Sequence, residues 1–226
     1  MPVFFCIIFD VFNHNNMSQN TILQLSTAYM PPIEYMALLV NKGSKVIIEK
    51  EETYPKQTYR NRCKIMTANG VLNLTIPVEK VNGNITKTKD IKIINSNQWY
   101  INHWRAISSA YSGSPFFLYY KDDLKHFFKG NYDNLLKFNN ELLNQLLNLI
   151  GIKCTIEFSN SFTKPDNSNQ ELDYRYSISP KISSDYSHTE EYYQVFSNKF
   201  NFTPNLSIID LLFNIGPETK NYLETV

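Results

Sequence analysis

The sequence predicts an α/β fold that opens with a strand, a helix and a strand, contains a mixed sheet and a β-hairpin, and ends in a largely helical C-terminal half. The first observation is the pair of β-prone runs at residues 21–27 and 45–49, which flank an apolar segment at residues 33–40. This order is typical of a parallel α/β unit. The second is an Asn-Gly pair between two further β-prone runs, and the third is a leucine repeat at helical spacing over residues 131–150.

The Asn-Gly pair predicts a tight hairpin with a type I′ turn, because both residues tolerate the positive φ that this turn requires. It places residues 60–67 on a strand, whose side-chain period of two puts Arg60, Arg62 and Lys64 on one face. Three cations on one face indicate a solvated edge strand, salt bridges to the acidic residues at 49–52, or a site for phosphate or carboxylate. Arginine holds such anions through two parallel hydrogen bonds.

Further strands are predicted at residues 72–78 and 90–94, with a polar, lysine-rich loop between them. Ser96 is predicted to cap a helix over residues 97–111. On that helix His103 shares a largely apolar stripe with small alanines. It is therefore either a core histidine satisfied by a neighbour or, if the alanines leave room for a ligand, a proton donor or acceptor.

The remaining chain is predicted as helices over residues 116–129, 131–150, 189–198, from Ser207, and after residue 217, with a strand at 152–158 and a polar loop at 159–187. That loop is long enough to cover a site or to be disordered. Ser207 occupies a helix N-cap position. Asp210 lies at the third helical position, where the acid of a capping box belongs.

The 226 residues are predicted to form one domain over residues 17–226. Residues 1–16 are predicted as an extension outside the fold, since their short apolar run is interrupted by Asp10 and lacks the features of a signal peptide or a membrane span. The formal net charge is +1. Such a balance excludes a broad basic surface for nucleic acid and allows a local basic pocket.

The three cysteines stand far apart and predict neither a disulfide framework nor a zinc site, but reduced, buried thiols. The four histidines are also scattered, so the sequence predicts no metal site and names no cofactor. The catalytic candidates are His103 and Asp210. The candidates for substrate binding are Tyr29, Lys56, Tyr59, Arg60, Asn61, Arg62 and Asn205. Together they could bind an anionic substrate and move one proton.

Ordered segments across residues 21–224 resemble the WbqC-like family, in particular its Bacteroidetes branch. The segments are Ala28-Tyr29-Met30-Pro31-Pro32-Ile33-Glu34-Tyr35, Lys56-Gln57-Thr58-Tyr59-Arg60-Asn61-Arg62-Cys63, Leu74-Thr75-Ile76-Pro77-Val78, Trp99 with His103-Trp104, Ser109-Ala110-Tyr111, Pro115-Phe116-Phe117, Asp173-Tyr174-Arg175, Tyr193-Gln194-Val195-Phe196, and Pro204-Asn205-Leu206-Ser207 continuing to Asn214. Many members outside this branch carry a Gln-Pro pair in the first turn, which this sequence lacks.

The resemblance implies a cytoplasmic enzyme of lipopolysaccharide O-antigen or other surface-polysaccharide biosynthesis. The expected substrate is an anionic sugar precursor, nucleotide-activated or amino-substituted, and the expected reaction is group transfer. Two alternatives stay open. One is a non-catalytic partner or scaffold protein within the polysaccharide machinery, and the other is a nucleotidyltransferase-like enzyme. No nucleic acid or membrane span is expected.

Overall fold

The computed structural model describes residues 22–43, 45–165, 173–182 and 190–226. Its helices and strands are, in chain order, β1 (Ile22–Ser26), α1 (Ile33–Lys42), β2 (Lys45–Glu49), β3 (Arg62–Thr67), β4 (Gly70–Thr75), β5 (Val78–Lys80), β6 (Ile91–Ile93), α2 (Trp99–Tyr111), α3 (Phe117–Lys125), α4 (Leu135–Ile150), β7 (Thr155–Phe158), α5 (Ser197–Phe200), α6 (Ile208–Ile215) and α7 (Thr219–Thr225). The mixture confirms the predicted α/β class and the helical C-terminal half.

The predicted opening unit is confirmed: β1 and β2 are parallel and α1 connects them. β7 pairs with β2 in the same direction, which gives a three-stranded parallel sheet of order β1–β2–β7. Beyond β1, the Tyr174 amide donates to the Gln24 carbonyl at 2.9 Å, and Asp173 forms a parallel bridge with Gln24. Residues 173–174 therefore extend the sheet on its open side.

The predicted hairpin is confirmed as β3 and β4, with Thr67 paired to Gly70 next to the turn. The predicted turn type is wrong. Positive φ occurs at Gly70 (φ 96°) and not at Asn69, whereas a type I′ turn needs it at both central residues. The Thr67 hydroxyl accepts from the Asn69 amide at 3.2 Å and donates to the Gly70 carbonyl at 2.8 Å, which stabilises the observed turn.

The prediction that three cations share one strand face is wrong, because β3 begins at Arg62 rather than at residue 60. Within β3 the alternation holds: Cys63 is buried, whereas Arg62 and Lys64 are partly exposed. Arg60 lies before the strand and is buried. A second antiparallel pair, β5 with β6, includes residues that the sequence assigned to a loop. In the described ranges the parallel and antiparallel pairings lie in separate sheets.

The three helices predicted between the hairpin and β7 are present as α2, α3 and α4, each with a later start. α2 begins at Trp99 after a left-handed Gln98 (φ 53°), so the predicted cap at Ser96 is wrong. α4 begins at Leu135, where the Asn134 side chain accepts from the Lys137 amide, and ends at Gly151 with φ 77°. The asparagine supplies the N-cap that the leucine periodicity alone did not locate.

The predicted helix at 189–198 is wrong over residues 190–194, which are irregular, and only the short α5 forms there. α6 begins after Ser207, as predicted. Residues 159–165 and 173–182 are irregular, in agreement with the predicted loop. The rest of that loop lies outside the described residues, as does the predicted extension at 1–16. The core joins buried side chains of the sheet, α1, α4 and α6.

Candidate functional site

Three chain segments that are distant in sequence meet at the carboxyl end of β1. In the turn between β1 and α1, the Tyr29 amide donates to the Tyr59 carbonyl at 2.9 Å. At the start of α1, the Ile33 amide donates to the Leu206 carbonyl at 3.0 Å. In parallel α/β sheets, the turn that follows the carboxyl end of a strand is a frequent ligand-binding position.

Two residues in these segments adopt a left-handed backbone that non-glycine residues rarely occupy: Met30 (φ 42°) and Asn205 (φ 52°). The Ser207 hydroxyl donates to the Met30 carbonyl at 2.9 Å. The Asn205 Oδ1 accepts from the Glu34 amide at 3.0 Å, at the N-terminus of α1. Backbone strain of this kind persists where neighbouring contacts hold it, and it is common at ligand sites.

A cavity of about 410 Å³ is lined in part by Asn205, one of these two residues. We call it the Tyr59 pocket; its lining consists of Tyr59, Lys64, Val71, Pro180, Lys181, Ile182, Thr203, Pro204, Asn205 and Leu206. β3, β4, the segment after the bridge at Asp173 and the chain before α6 all contribute. Its volume lies in the range of small-molecule sites, which is about 300–1,000 Å³.

The Tyr59 pocket is electropositive. Lys64 and Lys181 line it, and no acidic side chain does so in the part of the chain that the structure describes. The Lys64 ammonium lies 6.0 Å from the centroid of the Tyr59 ring, a cation–π distance. Burial raises the pKa of Tyr59, and the nearby Glu34 and Cys63 add to the increase. The phenol is therefore neutral at physiological pH, and the two ammonium groups set the preference for an anion.

Arg60, predicted to bind substrate, lies in the interior with its guanidinium bound to Glu52. Its Nε and one Nη donate to the two carboxylate oxygens at 2.7 and 2.9 Å, and the two side chains are 2% and 1% exposed. Thr88 also donates to Glu52, at 3.2 Å. This is the salt-bridge alternative of the sequence analysis: the group that was expected to hold an external anion is already paired with an internal one.

A second buried arginine, Arg175, anchors the segment that forms one wall of the Tyr59 pocket. Its guanidinium donates twice to Asp173, at 2.9 and 2.6 Å, once to Glu49, at 3.0 Å, and once to the Thr163 carbonyl, at 2.9 Å. Glu49 is the last residue of β2, so the ion pair connects the sheet to residues 173–182.

The other basic and polar candidates from the same stretch do not line the Tyr59 pocket. Lys56 is exposed. The Asn61 side chain donates to the Ile76 carbonyl at 2.8 Å, and the Arg62 Nε donates to the Thr75 hydroxyl at 3.1 Å. These two contacts support the approach of β4 to β3.

His103 and Tyr29 form a buried pair under the same turn. The Tyr29 hydroxyl lies 2.9 Å from His103 Nδ1, and the two rings stack at a centroid distance of 5.7 Å. Burial lowers the pKa of His103 to about 4, although a hydrogen bond to the backbone of Thr75 acts in the opposite direction. A buried, neutral histidine hydrogen-bonded to Tyr29 and to the backbone of Thr75 matches the core-histidine alternative, and here it positions Tyr29.

Asp210 is not a helix cap. Its carboxylate is buried and accepts from the Tyr111 hydroxyl at 2.8 Å, the Tyr192 hydroxyl at 2.6 Å and the Gln194 amide at 3.2 Å. Gln194 in turn exchanges two hydrogen bonds with the backbone of Thr203, a residue that lines the Tyr59 pocket. The capping role expected for Asp210 is therefore wrong, and the residue instead ties residues 192–194 to α6.

Burial raises the pKa of Asp210 to about 6, against the hydrogen bonds that favour its ionised form. A carboxyl group whose pKa is higher in the folded state takes up its proton there first, so its contribution to stability grows as the pH falls from about 6 to 4. We expect the free energy of unfolding of the wild type, minus that of Asp210→Asn, to be about 2 kcal/mol larger at pH 4.5 than at pH 7.

Urea unfolding of both proteins at the two pH values measures this difference. The titration of His103 is common to both proteins and cancels in the subtraction. A difference that stays constant with pH would show that Asp210 titrates near its ordinary value.

The sequence identified two of the residues that line the pocket, Tyr59 and Asn205. The sequence predicts Lys64 only as a cation on a strand and assigns no site role to Lys181. The sequence feature that could have identified Lys181 is its proximity to Asp173-Tyr174-Arg175. The salt bridges of Arg175 bring this part of the chain to the sheet.

Among the described residues, no group of three or more histidine, cysteine, aspartate or glutamate side chains is arranged to hold a metal ion. The described helices also include none with the length and apolar character needed to cross a membrane.

Comparison with known proteins gives one family match and one distant relative. The family model described as "WbqC-like protein family" matches residues 27–222. A protein of Mycobacterium tuberculosis (strain ATCC 25618 / H37Rv), named "Uncharacterized protein Rv1507c", is 28% identical over 221 residues, which covers 86% of this chain and 94% of the relative. No solved structure matches the chain.

Proposed function

Because the chain belongs to the WbqC-like protein family, we propose that it is a cytoplasmic enzyme of lipopolysaccharide O-antigen or other surface-polysaccharide biosynthesis. In this proposal it transfers a group to or from an anionic sugar precursor, nucleotide-activated or amino-substituted, that binds in the Tyr59 pocket. One observation carries the proposal: separate segments converge on a cavity of about 410 Å³ that is lined by two lysines. The family resemblance supplies the substrate class.

The lining suits such a ligand. Lys64 and Lys181 supply ammonium groups for a phosphate or carboxylate. The side-chain oxygen of Asn205 accepts a hydrogen bond from the Glu34 backbone amide, which fixes the orientation of the Asn205 side chain. The side-chain nitrogen of Asn205 can then donate to a sugar hydroxyl. The ring of Tyr59 offers a flat apolar surface with a polar tip.

The catalytic candidates His103 and Asp210 act in this proposal as positioning residues. His103 holds Tyr29 in the turn after β1. Asp210 acts through Gln194 on Thr203 in the pocket wall. Arg60 and Arg175 hold the scaffold around the pocket, and the anion is left to the two lysines.

Ligand binding tests the proposal. We expect a nucleotide sugar or sugar phosphate, at about 100 times its dissociation constant, to raise the free energy of unfolding by about 2.7 kcal/mol in a thermal-shift or urea experiment. Lys64→Ala should weaken the affinity about tenfold or more, because a charge-assisted hydrogen bond is lost. Calorimetric titration of the best ligand measures the change.

Lys92→Ala is the matched control, since Lys92 is an exposed lysine on another two-stranded sheet, at β6. Equal affinities of the two variants would place the ligand elsewhere. If no sugar derivative binds and a protein copurifies stoichiometrically, the partner or scaffold alternative replaces the enzyme. Protection by ATP alone would favour the nucleotidyltransferase-like alternative.

A further inference from the structure

A second cavity, of about 450 Å³, lies between α2 and the end of α3. We call it the Trp104 pocket; its lining consists of Ile101, Trp104, Arg105, Asp122, Lys125, His126, Phe128 and Lys129. All of these residues differ from those of the Tyr59 pocket. α2 also carries His103, which contacts Tyr29 in the core. The two pockets therefore use different side chains and can be tested separately.

The floor of the Trp104 pocket is apolar and held by ring contacts. The indole of Trp104 is tilted against Phe128 at a centroid distance of 5.5 Å and stacks on Phe117 at 6.4 Å. Phe128 is buried, and Trp104 is half-buried. A rigid aromatic surface in a cavity of this size binds the apolar or aromatic part of a small molecule with little loss of side-chain entropy.

The rim of the Trp104 pocket is cationic. Arg105, Lys125 and Lys129 are exposed at its edge, against one acid, Asp122. Within the ranges that the structure describes, none of these four side chains makes a hydrogen bond or an ion pair. A rim with this excess of positive charge attracts an anionic group, and the arginine can bind it through two hydrogen bonds.

Stabilisation by a helix terminus accounts for the position of only one of these three cations. Lys125 lies in the last turn of α3, where a cation stabilises the free carbonyl groups of a helix. Arg105 lies in the middle of α2, where that effect is absent, and Lys129 follows the turn at 126–128. Two separate elements thus bring cations to one apolar cavity.

We propose that the Trp104 pocket binds a phosphorylated small molecule with an aromatic or apolar body, the class that mononucleotides represent. The body packs against Ile101, Trp104 and Phe128. The phosphate lies at the rim, where Arg105 and the two lysines donate to it. This second site is independent of the group transfer proposed for the Tyr59 pocket.

Fluorescence titration with uridine 5′-monophosphate and with adenosine 5′-monophosphate tests this site. The chain contains two tryptophans, of which Trp99 is 4% exposed, so a ligand in this pocket changes the emission of Trp104. We expect saturable binding by a mononucleotide. Uridine alone and inorganic phosphate alone should bind more weakly, because uridine lacks the phosphate and inorganic phosphate lacks the base and sugar. Calorimetric titration of the wild type measures the same affinity without relying on the fluorescence of Trp104.

Arg105→Gln and Lys125→Gln should each weaken mononucleotide binding about tenfold or more. Lys121→Gln is the matched control, because Lys121 lies one turn before Lys125 on α3 and outside the pocket. It should leave the affinity unchanged, as should Lys64→Ala in the other pocket. Raising the salt concentration should weaken binding in the wild type.

Three results would overturn the proposal. The first is no saturation by either mononucleotide at about 1 mM. The second is equal affinity of Arg105→Gln, Lys125→Gln and Lys121→Gln. The third is loss of mononucleotide binding in Lys64→Ala with full binding in Arg105→Gln, which would assign the ligand to the Tyr59 pocket.

Discussion

Replacing Arg60 by alanine is expected to lower the free energy of unfolding by about 3–5 kcal/mol. The guanidinium makes both of its short contacts with Glu52, and both side chains are almost fully removed from water. Without Arg60, Glu52 stays buried, and the Thr88 and Tyr176 hydroxyls that remain hydrogen-bonded to it cannot neutralise its charge. An uncompensated buried charge is among the most destabilising results of a single substitution. Urea denaturation measures the effect.

Arg62→Ala is the control for this experiment. Arg62 is two residues further along and partly exposed, and its Nε donates to Thr75. Its loss should cost no more than about 0.5 kcal/mol. If Arg60→Ala were as stable as Arg62→Ala and yet failed to bind a sugar ligand, Arg60 would be a substrate-binding residue, as the sequence predicted, and its pairing with Glu52 would add no stability.

Local patterns in the sequence predicted the elements whose signals are themselves local. The β-prone runs around α1 and the leucine spacing of α4 depend on residues a few positions apart, and both elements are present. The segment 190–194 shows the limit of such patterns. Tyr192 and Gln194 are held by Asp210, 16 or more positions away, and these contacts replace the predicted helix.

In the candidate site, too, the residues with local sequence signals were predictable and those placed by long-range contacts were not. Tyr59 and Asn205 were identifiable from their neighbourhood in sequence, and both line the Tyr59 pocket. For Arg60 the sequence allows either an internal salt bridge or an external anion, and the structure contains the salt bridge. The sequence alone assigns Lys181 no role in a site, because its place in the pocket depends on the long-range contact between Arg175 and Glu49.

That contact leads to the second large effect. Arg175→Ala should lower the free energy of unfolding by about 3–5 kcal/mol, since it leaves Glu49 buried without its cation. It should also release the segment 173–182, because the same guanidinium holds Asp173 and the Thr163 carbonyl. The pocket wall formed by Pro180, Lys181 and Ile182 is part of this segment. We therefore expect ligand affinity to fall together with stability.

Amide hydrogen exchange distinguishes this local release from a general loss of stability. The Tyr174 amide donates to Gln24 in β1, whereas the Ile93 amide, which donates to the Asp133 carbonyl, lies at the second antiparallel pair. In Arg175→Ala, measured where the protein is still folded, protection at Tyr174 should fall further than protection at Ile93. Arg175→Lys keeps the charge but cannot donate two parallel hydrogen bonds to Asp173. Its protection at Tyr174 should therefore lie between those of Arg175→Ala and the wild type. Unchanged protection at Tyr174 would show that the strand bridge alone holds the segment, and Arg175 would then stabilise the sheet without positioning the pocket wall.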